Sequence, residues 1–127
     1  MKPTPKSVAL KFVEVINNGN PKELMKLQTE DFTFIDMAGD ITRGRDGWPN
    51  YFSTYPKYKI HVKHVLTSGN AVAIIGKTTG SHIPPKLEAK ETVLWTAEIQ
   101  NNQVAQWRIY SDINEIKKKT QKPHQNQ

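Results

Sequence analysis

Between Thr4 and Asn18 the apolar residues Val8, Ala9, Phe12, Val13 and Ile16 return at helical spacing, which predicts an amphipathic helix with one face to be covered. Thr4 offers a capping hydroxyl, Pro5 stands where a missing N–H costs nothing, and Asn18-Gly19 ends the helix through glycine's left-handed conformation. Asn20-Pro21-Lys22-Glu23 has the form of a capping box, and Leu24 and Leu27 give a second, short helix a narrow apolar stripe that ends near Gln28. Short strands are expected at about 33–37 and 41–43, joined by a tight Ala38-Gly39-Asp40 turn. A third helix is expected from Asp46, with Pro49 in its first turn, Trp48 and Phe52 on one face, and an end at Tyr55-Pro56.

From Lys57 the period changes from helical to alternating. Tyr58, Ile60, Val62, His64 and Leu66 fall on one face, turned to the core, and Lys57, Lys59, His61 and Lys63 on the other. Ser68-Gly69-Asn70 turns the chain into a strand over 71–79, and 80–90, with Pro84-Pro85, reads as a loop. Residues 91–99 and 104–112 form a hairpin pattern about Gln100-Asn101-Asn102-Gln103. Helices followed by mainly long strands predict an α+β domain, with three helices packed on one face of a bent antiparallel sheet. Alternation turns Val72, Ile74, Gly76 and Thr78, then Val93, Trp95, Ala97 and Ile99, then Trp107, Ile109 and Ser111 inward together with His64. Ile75, Leu94, Thr96, Arg108 and Tyr110 fall outward as a mixed patch that a twofold pairing would cover, so a homodimer is expected.

At 127 residues the chain fits one domain, expected over 1–114, with 115–127 a polar, basic tail expected to be disordered. The formal net charge of +6 draws half of its excess from that tail, where Lys117, Lys118, Lys119 and Lys122 stand against Glu115. The ordered basic stripe at 57–63 lacks interleaved aromatics, so no nucleic-acid partner is expected. Cysteine is absent, which excludes thiol catalysis, thiolate metal sites and disulfides. No stretch has the pattern of a signal peptide or the length of an apolar membrane span, so a cytoplasmic protein without a membrane partner is expected. The four histidines show no metal-ligand spacing, and the glycines of Arg43-Gly44-Arg45-Asp46-Gly47 have no dinucleotide or P-loop spacing. Neither a metal nor a cofactor is expected.

The inward residues, closed off by Phe12, Trp48, Tyr51 and Phe52, would make either a plain core or a mostly apolar, aromatic cavity suited to a small molecule. In the second reading Phe12, Phe34, Trp48, Tyr51, Phe52, Trp95, Trp107 and Ile109 contact the ligand, and His82, on the proline loop, stands at the rim. Asp36 is placed among Phe32, Phe34 and Ile35. It is either a general base over the cavity or a strand-end carboxylate that accepts hydrogen bonds from the Ala38-Gly39 turn. His64 is either a second proton carrier or a hydrogen-bonded core histidine.

The segments FVEVINNGN, DFTFIDMAGDITRGRDGW and QWRIYSD occur in an order that resembles the SnoaL-like branch of the nuclear transport factor 2-like superfamily, over about 7–112. The resemblance implies a cone-shaped half barrel closed by helices, a pocket inside it, and frequent dimerisation across the outer sheet face. FIDMAG is similar to the segment around the catalytic aspartate of ketosteroid isomerases, relatives in that superfamily, which puts Asp36 at the position of their base. The positions of their oxyanion donors hold Phe12 and Trp95, so steroid isomerase activity is not implied. The Asp-Arg-Asp group of limonene epoxide hydrolases would fall at Gly76, Thr78 and Ile109, and is absent. SnoaL-type polyketide cyclases need one acid/base residue, a demand that Asp36 meets alone or with His64. The expectation is therefore a cofactor-independent isomerase- or cyclase-type enzyme with an apolar substrate, or else a non-catalytic ligand-binding or dimeric scaffold protein.

Overall fold

The computed structural model of the chain describes residues 3–44 and 47–113. The expected start of the third helix at Asp46 and the expected basic tail lie outside the described residues. Helix α1, Pro5–Asn18, begins at a reciprocal cap: the Ser7 amide donates to Thr4 Oγ1 at 3.1 Å and the Thr4 amide donates to Ser7 Oγ at 2.8 Å. It stops at Gly19, whose φ of 65° is left-handed. Helix α2, Pro21–Lys26, is capped by Asn20 alone, because the Glu23 carboxylate bonds forward to Lys26 at 2.9 Å. Strand β1, Gln28–Ile35, and strand β2, Ile41–Arg43, make the first hairpin, and helix α3, Trp48–Thr54, follows. Strand β3, Lys59–Ser68, strand β4, Ala71–Thr79, helix α4, Pro85–Lys90, strand β5, Val93–Gln100, and strand β6, Gln103–Ser111, complete the order among the described residues.

The strands form one six-stranded sheet in the order β2-β1-β6-β5-β4-β3. Its neighbours are antiparallel except β1 and β6, which run parallel, so the sheet is mixed rather than wholly antiparallel. The β5–β6 turn is tight because Asn101 and Asn102 both take positive φ, 52° and 63°, the geometry that fits a hairpin's twist. Strand β1 starts at Gln28, five residues before the expected start at residue 33. Contacts distant in sequence recruit that polar start: the Val104 amide donates to Leu27 O at 2.7 Å, and Gln103 Nε2 donates to Lys26 O at 3.0 Å.

The inner face of the sheet buries Val72, Ile74, Trp95, Ala97, Val104 and Trp107 against the apolar face of α1, where Ala9, Phe12 and Ile16 are fully buried. Phe12 meets Trp107 at 4.8 Å between ring centroids. Asn17 ties α1 to the edge strand, donating to Ile60 O at 2.9 Å and accepting from Ile60 N at 2.7 Å.

Two expectations are corrected here. The register of β3 shifts between Val62 and His64, so His64 pairs with Ile75 on the outer face and is exposed, while Val65 faces inward opposite Ile74. An extra residue in one strand reverses every side chain beyond it. Opposite the bulge, a Cβ on Gly76 would lie 2.1 Å from the His61 carbonyl oxygen, so only glycine lets β3 fold across β4 there. The second correction is a fourth helix: 80–90 is not loop throughout, because Pro85 occupies the first turn of α4, where proline starts a helix instead of breaking it. Among the described residues no helix is long and apolar enough to cross a membrane.

Candidate functional site

The β1–β2 turn, α3 and the β4–α4 segment stand around the open end of the bent sheet and leave a cavity of about 480 Å³ between them. Its walls are rich in aromatic rings, Phe32, Phe34, Trp48, Tyr51, Tyr55, Tyr58 and Trp95, with Ile109 from β6. The α3 residues are there because Gly47 opens the helix without a side-chain cap and Pro49 sets its first turn, so Trp48 and Tyr51 emerge on the inner side. Trp48 stacks on Phe52 at 5.4 Å and meets Phe34 edge to face at 6.5 Å, which fixes the wall nearest β1. Tyr51 meets Tyr55 at 4.9 Å and Tyr58 at 5.1 Å on the other side.

Asp36 lies where β1 leaves the sheet, and it lines this cavity. Its Oδ1 accepts the amides of Ala38 at 2.9 Å and Asp40 at 3.0 Å, while its own amide donates to Asp40 O at 3.0 Å. One oxygen is thereby held by the turn, and among the described residues Oδ2 carries no hydrogen bond. The two sequence readings of this carboxylate are compatible, since one oxygen can anchor the turn while the other faces the space.

Across the mouth, His82 Nδ1 lies 3.0 Å from the Tyr51 hydroxyl, and the His82 amide donates to the same hydroxyl oxygen at 3.4 Å. Burial shifts His82 below its ordinary value of 6.5, against the opposing pull of Glu88 and Asp36, so the ring is neutral near pH 7. Burial also raises Tyr51 and Tyr58 far above the usual phenol range, so both remain phenols. Behind the wall, the Thr78 hydroxyl, at the cavity surface, donates to Glu88 Oε2 at 2.7 Å, and the Ser81 amide donates to the same oxygen at 3.1 Å. Glu88 thus pins the segment that carries His82. Glu91 beside it is 1% exposed, and burial pushes its carboxyl upward, against the weaker pull of the Ser111 hydroxyl and Lys77.

Phe34, Trp48, Tyr51, His82, Trp95, Ile109 and Asp36 all line the cavity. Phe12, Phe52 and Trp107 do not, contrary to the sequence expectation: Phe12 and Trp107 are buried where α1 packs on the sheet, and Phe52 is buried on α3, stacked on Trp48. An inward-facing aromatic is not yet a pocket-facing one, because helix α1 already covers that part of the sheet. His64 lies outside the cavity for the register reason given above. Sequence reasoning missed Tyr55 and did not single out Tyr58, although alternation had placed Tyr58 on the inner face. It missed Glu88 and Glu91 entirely, since acids in a proline-bearing segment carry no periodic signal. Among the described residues no group of three or more His, Cys, Asp or Glu converges to hold a metal ion.

The family model described as SnoaL-like domain matches residues 9–111. An NTF2-like protein of unknown function from Cytophaga hutchinsonii is similar at 19% identity and a TM-score of 0.72, covering 91% of this chain and 96% of that one. A putative SnoaL-like polyketide cyclase from Shewanella putrefaciens is similar at 17% identity and a TM-score of 0.72, covering 91% and 84%. A putative ketosteroid isomerase from Kribbella flavida is similar at 17% identity and a TM-score of 0.69, covering 86% and 78%. At these identities the likeness is one of fold. None of the curated proteins matches the sequence.

Proposed function

We propose, from the premise that this chain belongs to the SnoaL-like domain family, that its cavity receives an apolar small molecule and that Asp36 acts there as a general base in a cofactor-independent isomerase- or cyclase-type reaction. The observation that carries the reading is the state of that carboxylate: one oxygen fixed by two turn amides, the other free of partners among the described residues, at the edge of an aromatic cavity of about 480 Å³. A base held by one oxygen loses little freedom when the substrate arrives, and apolar walls seat the carbon skeleton while excluding water. Asp36 takes a proton from a carbon made acidic by an adjacent carbonyl, and the same carboxyl returns it to that carbon or to a neighbour.

The test is exchange of α-protons of 2-tetralone and 2-acetylnaphthalene for deuterium in D2O, followed by NMR, with the wild type against Asp36→Asn. Catalysed exchange in the wild type that disappears in the variant supports the reading; equal rates in the two proteins, or none in either, remove it. A second reading has its own support, the burial of Phe12 in the core, away from any ligand. Under it the cone is a non-catalytic carrier, and the same ketones would bind and be recovered with their protons unexchanged. The outward side chains Ile75, Leu94, Thr96, Arg108 and Tyr110, with the Arg108 guanidinium 4.7 Å over the Tyr110 ring, support a homodimer paired through this sheet face. Sedimentation as a single monomeric species at micromolar concentration would end that proposal.

A further inference from the structure

A carbon acid gives up its proton readily only if something stabilises the oxygen on which the negative charge gathers, and Phe12, buried away from the cavity, cannot do it. We propose that His82 is the second catalytic residue, its ring held by Tyr51 as the tautomer with the proton on Nε2, and that this N–H donates to the carbonyl oxygen of an enolisable ketone whose α-proton Asp36 removes. The inference rests on the reading of Asp36 as base and adds the group that meets the negative charge on the substrate oxygen.

The tautomer is set by which way the Tyr51–His82 contact runs. The Tyr51 oxygen receives the His82 backbone amide at 3.4 Å, and His82 Nδ1 lies 3.0 Å from the same oxygen. Burial keeps Tyr51 a protonated phenol, so its O–H stands beside the ring as a donor. With that O–H given to Nδ1, the proton of a neutral imidazole belongs to Nε2. The ring is fixed by two edge contacts, with Tyr51 at 5.9 Å and Tyr55 at 6.0 Å between centroids. The backbone beneath it is fixed by Glu88, which accepts from the Ser81 amide. The titratable groups that face it are Tyr51 from α3, Tyr55 at the C-terminal cap of that helix, Glu88 from α4 and Asp36 from the β1–β2 turn. The two carboxylates favour a charged ring and burial opposes them with the greater effect, which leaves a neutral donor near pH 7.

The chemistry balances without a co-reactant. Asp36 Oδ2 takes the α-proton, the C–H electron pair forms the enolate double bond, and the carbonyl pair moves onto oxygen, where it accepts the Nε2–H hydrogen bond. No proton leaves His82, since its loss would need a base stronger than the enolate, so the ring acts as a hydrogen-bond donor and not as an acid. Collapse of the enolate returns a proton, or a deuteron from D2O, from the Asp36 carboxyl to carbon.

The same exchange assay tests this with His82→Phe, His82→Gln and Tyr51→Phe, alongside the Kd of 2-tetralone by fluorescence titration and the ring tautomer by 15N NMR. His82→Phe is expected to slow exchange on the order of 100-fold while the Kd stays within a few-fold, and His82→Gln, which keeps an N–H donor, should recover much of the rate. In Tyr51→Phe the His82 ring should lose its single tautomer and exchange should slow with it. Exchange undiminished in His82→Phe, with Asp36→Asn inactive, overturns the role of His82 and leaves the base in place. A wild-type ring protonated on Nδ1 would also overturn it, whatever the kinetics. Absence of exchange in the wild type overturns both readings together.

Discussion

At the closed end of the cone, Phe12 and Trp107 lie 4.8 Å apart between ring centroids and both are fully buried; at the mouth, Tyr51 and Tyr55 lie 4.9 Å apart and stand beside open space. Aromatic spacing is the same at the two ends, so it does not separate packing from a site. The difference is which element covers the rings. Helix α1 lies across the closed end with a complete apolar face, whereas the mouth is framed by the seven-residue α3, the segment between β4 and α4, and a turn, which meet around a gap. Polar groups gather where covering is incomplete: Asp36, Tyr51, Thr78 and His82 all stand at the cavity. The comparison predicts that substitutions at the mouth change turnover and spare stability, and that those at the closed end do the reverse.

The largest effect is expected for Asp36→Asn. Loss of a positioned general base should slow α-proton exchange by roughly 100- to 10,000-fold. The asparagine oxygen can still accept the Ala38 and Asp40 amides, so the melting temperature should barely move. A large fall in melting temperature would break the comparison, because the mouth would then be structural. Next is Phe12→Ala, which should destabilise the fold by about 3–5 kcal/mol in chemical denaturation while leaving the ketone Kd of the folded fraction unchanged. Gly76→Ala comes third. Its Cβ would meet the His61 carbonyl at 2.1 Å, and the strain should lower stability by about 1–3 kcal/mol, or displace β3 in a way that chemical shifts at residues 60–65 would report.

The smallest effect sharpens the comparison behind the mouth. A carboxyl raised by burial, like that of Glu91, contributes to stability while protonated; that contribution is complete below its ordinary value of 4.5 and is lost as the pH rises through its folded value. Glu91→Gln should therefore raise the melting temperature relative to wild type more at pH 7 than at pH 4. An equal difference at the two pH values would mean that the carboxyl is hydrated and the wall less tightly built.

Legibility followed the range of the interactions. Helix α1, with its Thr4 cap and Gly19 stop, was readable because caps and periodicity act within a few residues, and so were the inward faces of β4, of β5 and of β6 from Trp107 onward, beyond the register shift that falls between the Gln106 and Val104 pairings. The parallel seat of β1 on β6, the early start of β1 and the reversal of His64 were not, since each depends on a partner strand far along the chain. Helix α4 was hidden because Pro84-Pro85 reads as a breaker unless the second proline is known to begin a helix. Asp36 was visible as a carboxylate among apolar neighbours, yet the division of labour between its two oxygens appeared only with the turn in place.

By itself the sequence determined the α+β class, the family and which side chains of most strands point inward, because these follow from local periodicity and from motifs kept in order. The tertiary structure alone decided which inward aromatics are packed and which are left uncovered, and that His82, on a segment read as loop, stands with Tyr51 across the mouth from Asp36. The physical reason is that a cavity is a failure of distant elements to fill the space between them, and no single stretch of chain records where its neighbours stop.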